Sequence, residues 1–251
     1  MFNFFAEENS KQGNYFYITG SDYNHIKNVL RMKTGEEFLV SSDGISSLCR
    51  LACFEGDSAV AEIIEENYQS TDLPIEIYLF QGLPKSDKME LIIQKAVELG
   101  VHAIIPTQMQ RCVVKLDDKK KKSKTQRWQT IAESAAKQSK RSTVPQVYDA
   151  VSYGEALNMA KAFDVLMVPY ECADGMEATK RVLRQIKVGS KVGIIIGPEG
   201  GFDESEVEKA IAIGGESVSL GKRILRTETA AITSVGMVML HCEMYLGGET
   251  E

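Results

Sequence analysis

The sequence predicts an α/β fold that follows a small β-rich unit, and two observations carry this prediction. Up to about residue 72, short runs of alternating apolar and polar residues are typical of half-buried strands. After that point, continuous apolar runs alternate with segments of helical period, which indicates a mostly parallel sheet covered by helices on both faces. We therefore predict two domains, residues 1–72 and residues 73–251.

The N-terminal domain is predicted to consist of short strands around one helical segment. The segment SDYNHIKNVLRM predicts one or two helical turns. Strands are predicted at FYITG, EEFLVSSDG, SSLCRLACF and SAVAEIIEE.

The C-terminal domain is predicted to alternate strands and helices. Its first helix lies in SDKMELIIQKAVELG, where Asp87 and Glu90 match a D-x-x-E capping box and Gly100 ends the helix. Later helices are predicted at roughly 124–140, 176–187, 203–213 and 227–246. Strands are predicted at IEIYLFQGL, HAIIPTQ, FDVLMVPY, KVGIIIG and ESVSLG.

The net charge of −6 conceals a segregation of charge along the chain. Residues 1–72 hold five basic and twelve acidic side chains, whereas residues 111–141 hold eleven basic and three acidic ones. Such a cationic segment on an acidic protein is a candidate surface for phosphate groups. The alternative for this segment, including the lysine run 119–122, is a solvated loop together with a polar helix face, without a ligand.

Composition excludes several classes of protein. The chain has no apolar run of about eighteen residues and no signal-peptide pattern, so we expect neither a membrane span nor export. The three histidines lie far apart, and no CxxC pair is present, which predicts a cytoplasmic protein without disulfides or a metal site. The five scattered cysteines are Cys49, Cys53, Cys112, Cys172 and Cys242.

Three predicted strand ends carry chemically informative residues. In a parallel sheet, ligands bind outside the carboxyl ends of the strands. Those ends here are VPYE at 168–171, IIIGPEGGF at 194–202 and SLGKRILRTETA at 219–230. The glycine-rich turn matches neither the G-x-G-x-x-G dinucleotide fingerprint nor the G-x-x-x-x-G-K-[ST] phosphate loop, and no G-x-S-x-G is present. Common nucleotide-binding and hydrolase families are therefore disfavoured.

Taken together, IIIGPEGGF and LGKRILRTETAA resemble the SPOUT class of S-adenosylmethionine-dependent RNA methyltransferases. More narrowly, the chain resembles the 16S ribosomal RNA uridine-N3 methyltransferase family over its whole length. Three further segments carry this resemblance, namely HIKNVLRMKTGE, KSDKMELIIQKAVELGV, and RCVVK with WQTIAESAAKQSKR.

The resemblance implies an N-terminal PUA-like β-barrel and a C-terminal SPOUT α/β domain that contains a trefoil knot. It also implies a homodimer, S-adenosylmethionine as the methyl donor, no metal, and 16S rRNA in the small ribosomal subunit as the substrate. Pattern alone would not predict a knot, because threaded connections are very rare.

The resemblance also assigns residues around the methyl donor. Their backbone groups and small or apolar side chains would surround the adenine and the methionine portion. These residues are Pro169, Gly197, Glu199, Gly200, Leu220, Gly221, Ile224, Leu225, Arg226 and Ala230.

Two residues are candidates for the chemistry. Uridine N3 is protonated at neutral pH, so a nearby cation would stabilise the anion that forms as the proton leaves. Arg226 is the candidate for this role, and Glu228, or a water that it holds, is a weaker candidate for accepting the proton. Thr227 is predicted to be the N-cap of the last helix, and capping is the alternative role for Thr227 and Glu228.

RNA contacts are expected from basic residues in both domains. Drawn at about 100° per residue, the helix near 124–140 places its cations opposite an apolar face that includes Trp128. Such cations would bind phosphates. The candidates are His25, Arg31, Lys33, Lys85, Arg111, Lys115, Arg127, Lys137 and Arg141.

Other functions remain open at this point. The chain could be an RNA-binding relative that has lost catalysis, or a methyltransferase acting on another RNA. It could also be a small-molecule methyltransferase or a nucleotide-binding α/β enzyme, although the basic segment argues against both. Donor binding and dependence of activity on RNA separate these possibilities.

Overall fold

The computed structural model describes residues 1–170 and 175–247, apart from the side chain of Glu8. Glu171 and Cys172 therefore lie outside the described residues. The chain forms two compact units. The first comprises residues 1–72 together with 136–144, and the second comprises residues 73–135 and 145–251. The return of 136–144 to the first unit is not indicated by the sequence pattern.

The first unit is a six-stranded sheet with a short helix. The helix, α1, covers Gly20–Asn24 and continues into a π-helical turn at His25–Val29. The strands follow the order β1-β4-β5-β6-β3-β2, in which only β1 and β4 are parallel within the described chain. The strands are β1 (Asn3–Phe5), β2 (Lys11–Gln12), β3 (Tyr15–Ile18), β4 (Glu37–Ser42), β5 (Ile45–Glu55) and β6 (Ser58–Glu65).

The longest strand of the first unit, β5, pairs irregularly with its neighbour β6. The pairing of β5 with β6 shifts register between Leu48 and Cys49 and again between Leu51 and Cys53. Such bulges bend a strand and increase its twist, so the sheet can enclose a core. The buried Phe4 and Phe38 rings meet edge to face at the centre of that core, with centroids 5.6 Å apart.

The segment 136–144 is held in the first unit by a buried polar network. Asn3 Nδ2 donates to the Arg141 carbonyl at 3.0 Å, and Ser41 Oγ donates to Asn3 Oδ1 at 3.0 Å. The Arg141 guanidinium lies 3.3 Å from Asp72, and Ser142 also donates to that carboxylate. Because Arg141 is only 5% exposed, it anchors this segment in the first unit.

The second unit contains a parallel sheet with the order β10-β8-β7-β12-β11-β13, and β9 pairs with β8. The strands are β7 (Glu76–Gly82), β8 (Ala103–Gln108), β9 (Gln146–Val147), β10 (Val151–Ser152), β11 (Val165–Pro169), β12 (Lys191–Ile196) and β13 (Glu216–Val218). The helices are α2 (Lys88–Glu98), α3 (Asp118–Gln138), α4 (Tyr153–Ala160), α5 (Glu177–Leu183), α6 (Glu204–Ala212) and α7 (Thr227–Tyr245).

The central strands of this sheet are covered on both faces, as predicted. Five consecutive residues of β12, Val192–Ile196, are buried, although successive side chains point to opposite faces. Within residues 1–170 and 175–247, no helix combines the length and apolar content that crossing a membrane requires. The four described cysteines are all free.

Two details of the predicted helices are wrong. The Asp87 side chain makes no capping hydrogen bond at the start of α2, and Glu90 instead pairs with Arg127 at 2.8 Å. Complete capping boxes occur where α4 and α6 begin, at Ser152 with Glu155 and at Asp203 with Glu206. Helix α3 begins at Asp118, so the lysine run 119–122 is helical rather than a loop. That helix ends at Gln138 and does not reach Arg141.

Candidate active site

A cleft of about 760 Å³ opens at the carboxyl ends of β11 and β12 in the second unit. In the sheet, β7 lies between β8, the next strand along the chain, and β12, a later strand. The order of the strands therefore reverses at β7, and ligands of parallel sheets bind at such a reversal. Among the described residues, no group of three or more histidine, cysteine, aspartate or glutamate side chains is placed to hold a metal ion.

The residues that the sequence assigns to the methyl donor lie around this one cleft. They come from the end of β11, the loop after β12, the loop after β13 and the first turn of α7. All ten line the cleft: Pro169, Gly197, Glu199, Gly200, Leu220, Gly221, Ile224, Leu225, Arg226 and Ala230.

The loop after β12 packs tightly against its neighbours. A Cβ atom at Gly200 would lie 3.1 Å from Arg111 Cβ, so the glycine lets the Arg111 loop approach. Arg111 lines the cleft, and its guanidinium donates to the Gly200 carbonyl at 3.2 Å and lies 3.6 Å from Asp203. The small size of Gly200 therefore serves this contact with Arg111.

The loop after β13 forms the opposite wall. Gly221 has φ +103°, a conformation that side chains with a Cβ rarely adopt, and it turns the chain towards α7. Ile224 is 87% exposed although its side chain is apolar. Because Ile224 lines the cleft, its side chain is available to pack against the apolar face of a ligand.

Thr227 is not the N-cap of α7, contrary to the prediction. The cap position belongs to Arg226, and Thr227 is the first residue of the helix. Thr227 is buried, and its hydroxyl donates to the Gly197 carbonyl at 2.6 Å while accepting from Gln81 Nε2 at 2.9 Å. The hydroxyl therefore joins the loop after β12 to the start of α7.

Gln81 is a site residue that the sequence analysis missed. It lies near the end of β7, is fully buried, and donates both to Thr227 and to the Gly82 carbonyl at 2.9 Å. A Cβ at Gly82 would lie 2.6 Å from the Pro198 nitrogen, so the end of β7 and the loop after β12 are in close contact. The signal that could have indicated this position is a glutamine in an otherwise apolar strand.

Glu228 lies behind the wall of the cleft and is not among the residues that line it. Its side chain is 15% exposed, and Oε2 lies 3.3 Å from the ammonium of Lys88, the first residue of α2. The ion pair with Lys88 engages this carboxylate, and because Glu228 does not line the cleft, it is poorly placed to accept a proton from a uracil bound there. The structure thus brings Glu228 to Lys88, a second site residue that the sequence analysis missed.

The candidate RNA-binding residues differ in exposure. Lys137 is partly buried and pairs with Asp22 at 2.8 Å. Arg141 is buried and lies beyond the end of α3, so the prediction that it shares an exposed helix face with Arg127 and Lys137 is wrong. The others are exposed: His25, Arg31, Lys33, Lys85, Arg111, Lys115 and Arg127.

Comparison with known proteins agrees with this arrangement. The family model described as RNA methyltransferase domain matches residues 71–239, and that described as RNA methyltransferase PUA domain matches residues 18–64. The chain is 42% identical to ribosomal RNA small subunit methyltransferase E of Bacillus subtilis, over 93% of each chain. It is 38% identical to the protein of that name from Mesomycoplasma hyopneumoniae, over 92% of this chain and 96% of that one.

A solved structure has the same fold. The crystal structure of a ribosomal RNA small subunit methyltransferase E from Neisseria gonorrhoeae bound to S-adenosyl methionine superposes with a TM-score of 0.81. That protein is 33% identical, and the alignment covers 96% of this chain and 97% of the other. The chain belongs to the ribosomal RNA small subunit methyltransferase E family.

Proposed function

We propose that this protein transfers the methyl group of S-adenosylmethionine to N3 of a uridine in 16S rRNA, in the cytoplasm. The convergence of three strand ends on one cleft carries this proposal, because the residues of GPEGG and LGKRILRTETA meet there. The relative from Neisseria gonorrhoeae that is bound to S-adenosyl methionine supports it.

The residues of the cleft fit such a donor. Glycines and the extended loop 219–226 expose backbone amides and carbonyls that can bind an adenine edge. Ile224 and Leu225 can cover the faces of the base, and Arg111 and Arg226 supply positive charge for the donor carboxylate or the RNA. When bound, S-adenosylmethionine supplies an electrophilic methyl group on a sulfonium.

The chain's own task is to hold the uracil and to stabilise its charge. Arg226 is exposed at the rim of the cleft, where its guanidinium would face the anion that forms as N3 loses its proton. Because Glu228 does not line the cleft, a water molecule in the cleft is better placed to take that proton and pass it to bulk solvent. Positioning and exclusion of solvent supply the remainder of the catalysis.

RNA would contact exposed cations in both units. We propose that the six-stranded sheet of the first unit is the PUA-like barrel and binds RNA through His25, Arg31 and Lys33. In the second unit, Lys85, Lys115 and Arg127 are exposed to solvent. We propose assembled small subunits as the substrate, since separate basic groups on two units suit a large folded RNA.

Replacing Lys85, Lys115 and Arg127 together by glutamine should weaken RNA binding at low salt and flatten its salt dependence. Each cation that no longer neutralises a phosphate lowers the slope of log affinity against log salt by about 0.7–0.9. Donor affinity should stay at the wild-type value. The matched control is Lys180→Gln, an exposed lysine on α5 paired with Glu177 at 2.8 Å. A slope equal to that of the wild type would remove these three residues from the RNA surface.

We propose that the chain is a homodimer whose interface includes α7, and that the region from Gly197 through α7 forms the trefoil knot. Helix α7 is rich in apolar residues, and some of them lie outside the face that is buried in the single chain. Leu240, Met244 and Tyr245 are 51%, 64% and 71% exposed in the single chain. The contacts of Thr227 with Gly197 and Gln81 support threading near β7 and β12.

Leu240→Glu should convert the dimer into a monomer, because a charge would be buried where the two copies meet. Sedimentation velocity at micromolar concentration measures this directly. Ile211→Glu on α6 is the matched control, since Ile211 is 49% exposed and lies on another helix. A wild-type protein that sediments as a monomer would overturn the proposed dimer.

The activity is tested by mass spectrometry of 16S rRNA from cells that lack the gene, followed by treatment with purified protein. The expected result is the absence of one 3-methyluridine and its restoration by protein and donor. Free rRNA and assembled small subunits are compared as substrates. If the protein binds the donor but methylates neither, the proposed activity is wrong.

A further inference from the structure

Lys88 occupies a position where a cation is unfavourable for its helix. It is the first residue of α2, and the amino end of a helix carries partial positive charge. Its ammonium nevertheless lies on the wall of the donor cleft, 3.2 Å from Glu199 Oε1 and 3.3 Å from Glu228 Oε2. Because a cation at this position is unfavourable for the helix, its presence indicates that Lys88 has a role in the site.

The two carboxylates belong to different segments of the chain, and of the two only Glu199 lines the cleft. Glu199 lies in the loop after β12, and Glu228 lies in the first turn of α7. Glu199 Oε1 also accepts from the Lys85 backbone N–H at 2.9 Å, so the turn before α2 holds the same carboxylate. Lys88 therefore connects three segments: the start of α2, the glycine-rich loop and the start of α7.

Glu228 depends on Lys88 for its charge balance. Its Oε2 atom is buried and has no hydrogen-bond partner within the described chain, and its contact with Lys88 is an ion pair. Desolvation opposes the charge of Lys88, yet the two carboxylates outweigh it and raise the Lys88 pKa above its usual value. Desolvation also opposes ionised Glu199, but the Lys85 N–H and the Lys88 ammonium lower the pKa of that carboxyl.

Without the ammonium, two ionised carboxylates would face each other across a partly buried site. Like charges repel strongly where water is partly excluded, and a buried carboxylate without a counter-charge is costly. Separation of the glycine-rich loop from the start of α7 would relieve this repulsion. Those two segments also carry Gly197, Gly200 and Arg226, which line the cleft.

We propose that Lys88 is a positioning residue that holds the glycine-rich loop and the start of α7 together by bridging Glu199 and Glu228. The proposal rests on the proposed function, since it takes the cleft to be the donor site. Lys88 acts through the carboxylates, and no proton passes through it. It also gives Glu228 a role as the counter-charge of Lys88.

Calorimetry with S-adenosylmethionine tests this on the full-length protein. Lys88→Met keeps the aliphatic chain and removes the charge, and should weaken donor affinity by about ten-fold or more. Adding Glu228→Gln to this variant should recover most of the loss, because the repulsion disappears. Loss of packing alone would not be rescued by Glu228→Gln. Lys95→Met is the matched control on α2, since Lys95 pairs with Glu98 in a surface ion pair at 2.9 Å.

Two results would overturn the proposal: wild-type donor affinity in Lys88→Met, or a double variant no tighter than Lys88→Met. A wild-type protein that binds no donor would instead contradict the proposed function. In that case, thermal melting without donor still tests the bridge. The melting temperature should fall in Lys88→Met and rise again in the double variant, and a double variant that melts no higher than Lys88→Met would also overturn it.

Discussion

Arg226→Ala is expected to slow methylation by about 100-fold or more while the protein remains fully folded. Arg226 lies at the cap position of α7, makes no side-chain capping bond, and has no ion-pair partner among the described residues. An exposed cation of this kind contributes little to stability. A cation aimed at the developing uracil anion acts in the transition state, where losing such a group is most costly.

Single-turnover methylation at saturating donor and RNA measures this effect, with the melting temperature and donor affinity determined beside it. Arg226→Lys keeps the charge but not the planar guanidinium, so it should retain part of the rate. Arg223→Ala is the matched control, because Arg223 is an exposed cation in the same loop that also lines the cleft. If Arg226→Ala methylates at close to the wild-type rate, Arg226 does not stabilise the anion.

The strands and helices of the second unit could be predicted because their local patterns are strong. The run KVGIII is apolar and β-branched, and it forms the central strand β12. Helix α7 was predicted within about one residue at each end. The return of 136–144 to the first unit could not be predicted, because it depends on pairing of Arg141 with Asp72, far apart in the sequence.

The site residues that come directly after strands could be predicted from the sequence. Parallel strands bring their carboxyl ends to one edge, so Pro169, Gly197 and Leu220 had to lie near one another. Gln81 and Lys88 were missed because neither lies in a loop that follows a strand. Gln81 lies in strand β7, and Lys88 is the first residue of helix α2. Each nevertheless breaks a local rule: Gln81 is polar in a buried strand, and Lys88 is a cation at a helix start.

The error at Thr227 shows where local reasoning fails. Threonine is a preferred N-cap residue, so the sequence predicts that the helix proper begins after Thr227. Nothing in the local sequence indicates that Thr227 is instead the first helical residue and Arg226 the cap. The tertiary contacts with Gly197 and Gln81 decide the matter, since they take the hydroxyl away from the helix amides. This changes what a substitution at Thr227 should do.

Thr227→Val should therefore lower both the free energy of unfolding and the affinity for S-adenosylmethionine. Valine keeps the shape of threonine but removes the hydroxyl that bridges the Gly197 carbonyl and Gln81 Nε2. Each buried group left without its partner costs roughly 1–3 kcal/mol. Gln81 Nε2 would keep its bond to the Gly82 carbonyl, whereas the Gly197 carbonyl would lose the bond that Thr227 donates.

Urea unfolding and calorimetry measure the two effects on the same samples. Thr227→Ser retains the hydroxyl and should stay close to the wild type in both, while Thr229→Val removes an exposed hydroxyl from the same helical turn and is the matched control. Because Gly197 lines the cleft, loss of its bond to Thr227 should lower the affinity for the donor as well as the stability of the fold. If Thr227→Val loses stability but binds the donor as the wild type does, the hydroxyl supports α7 alone. The position of Gly197 would then depend on the close contact between Gly82 and Pro198 instead.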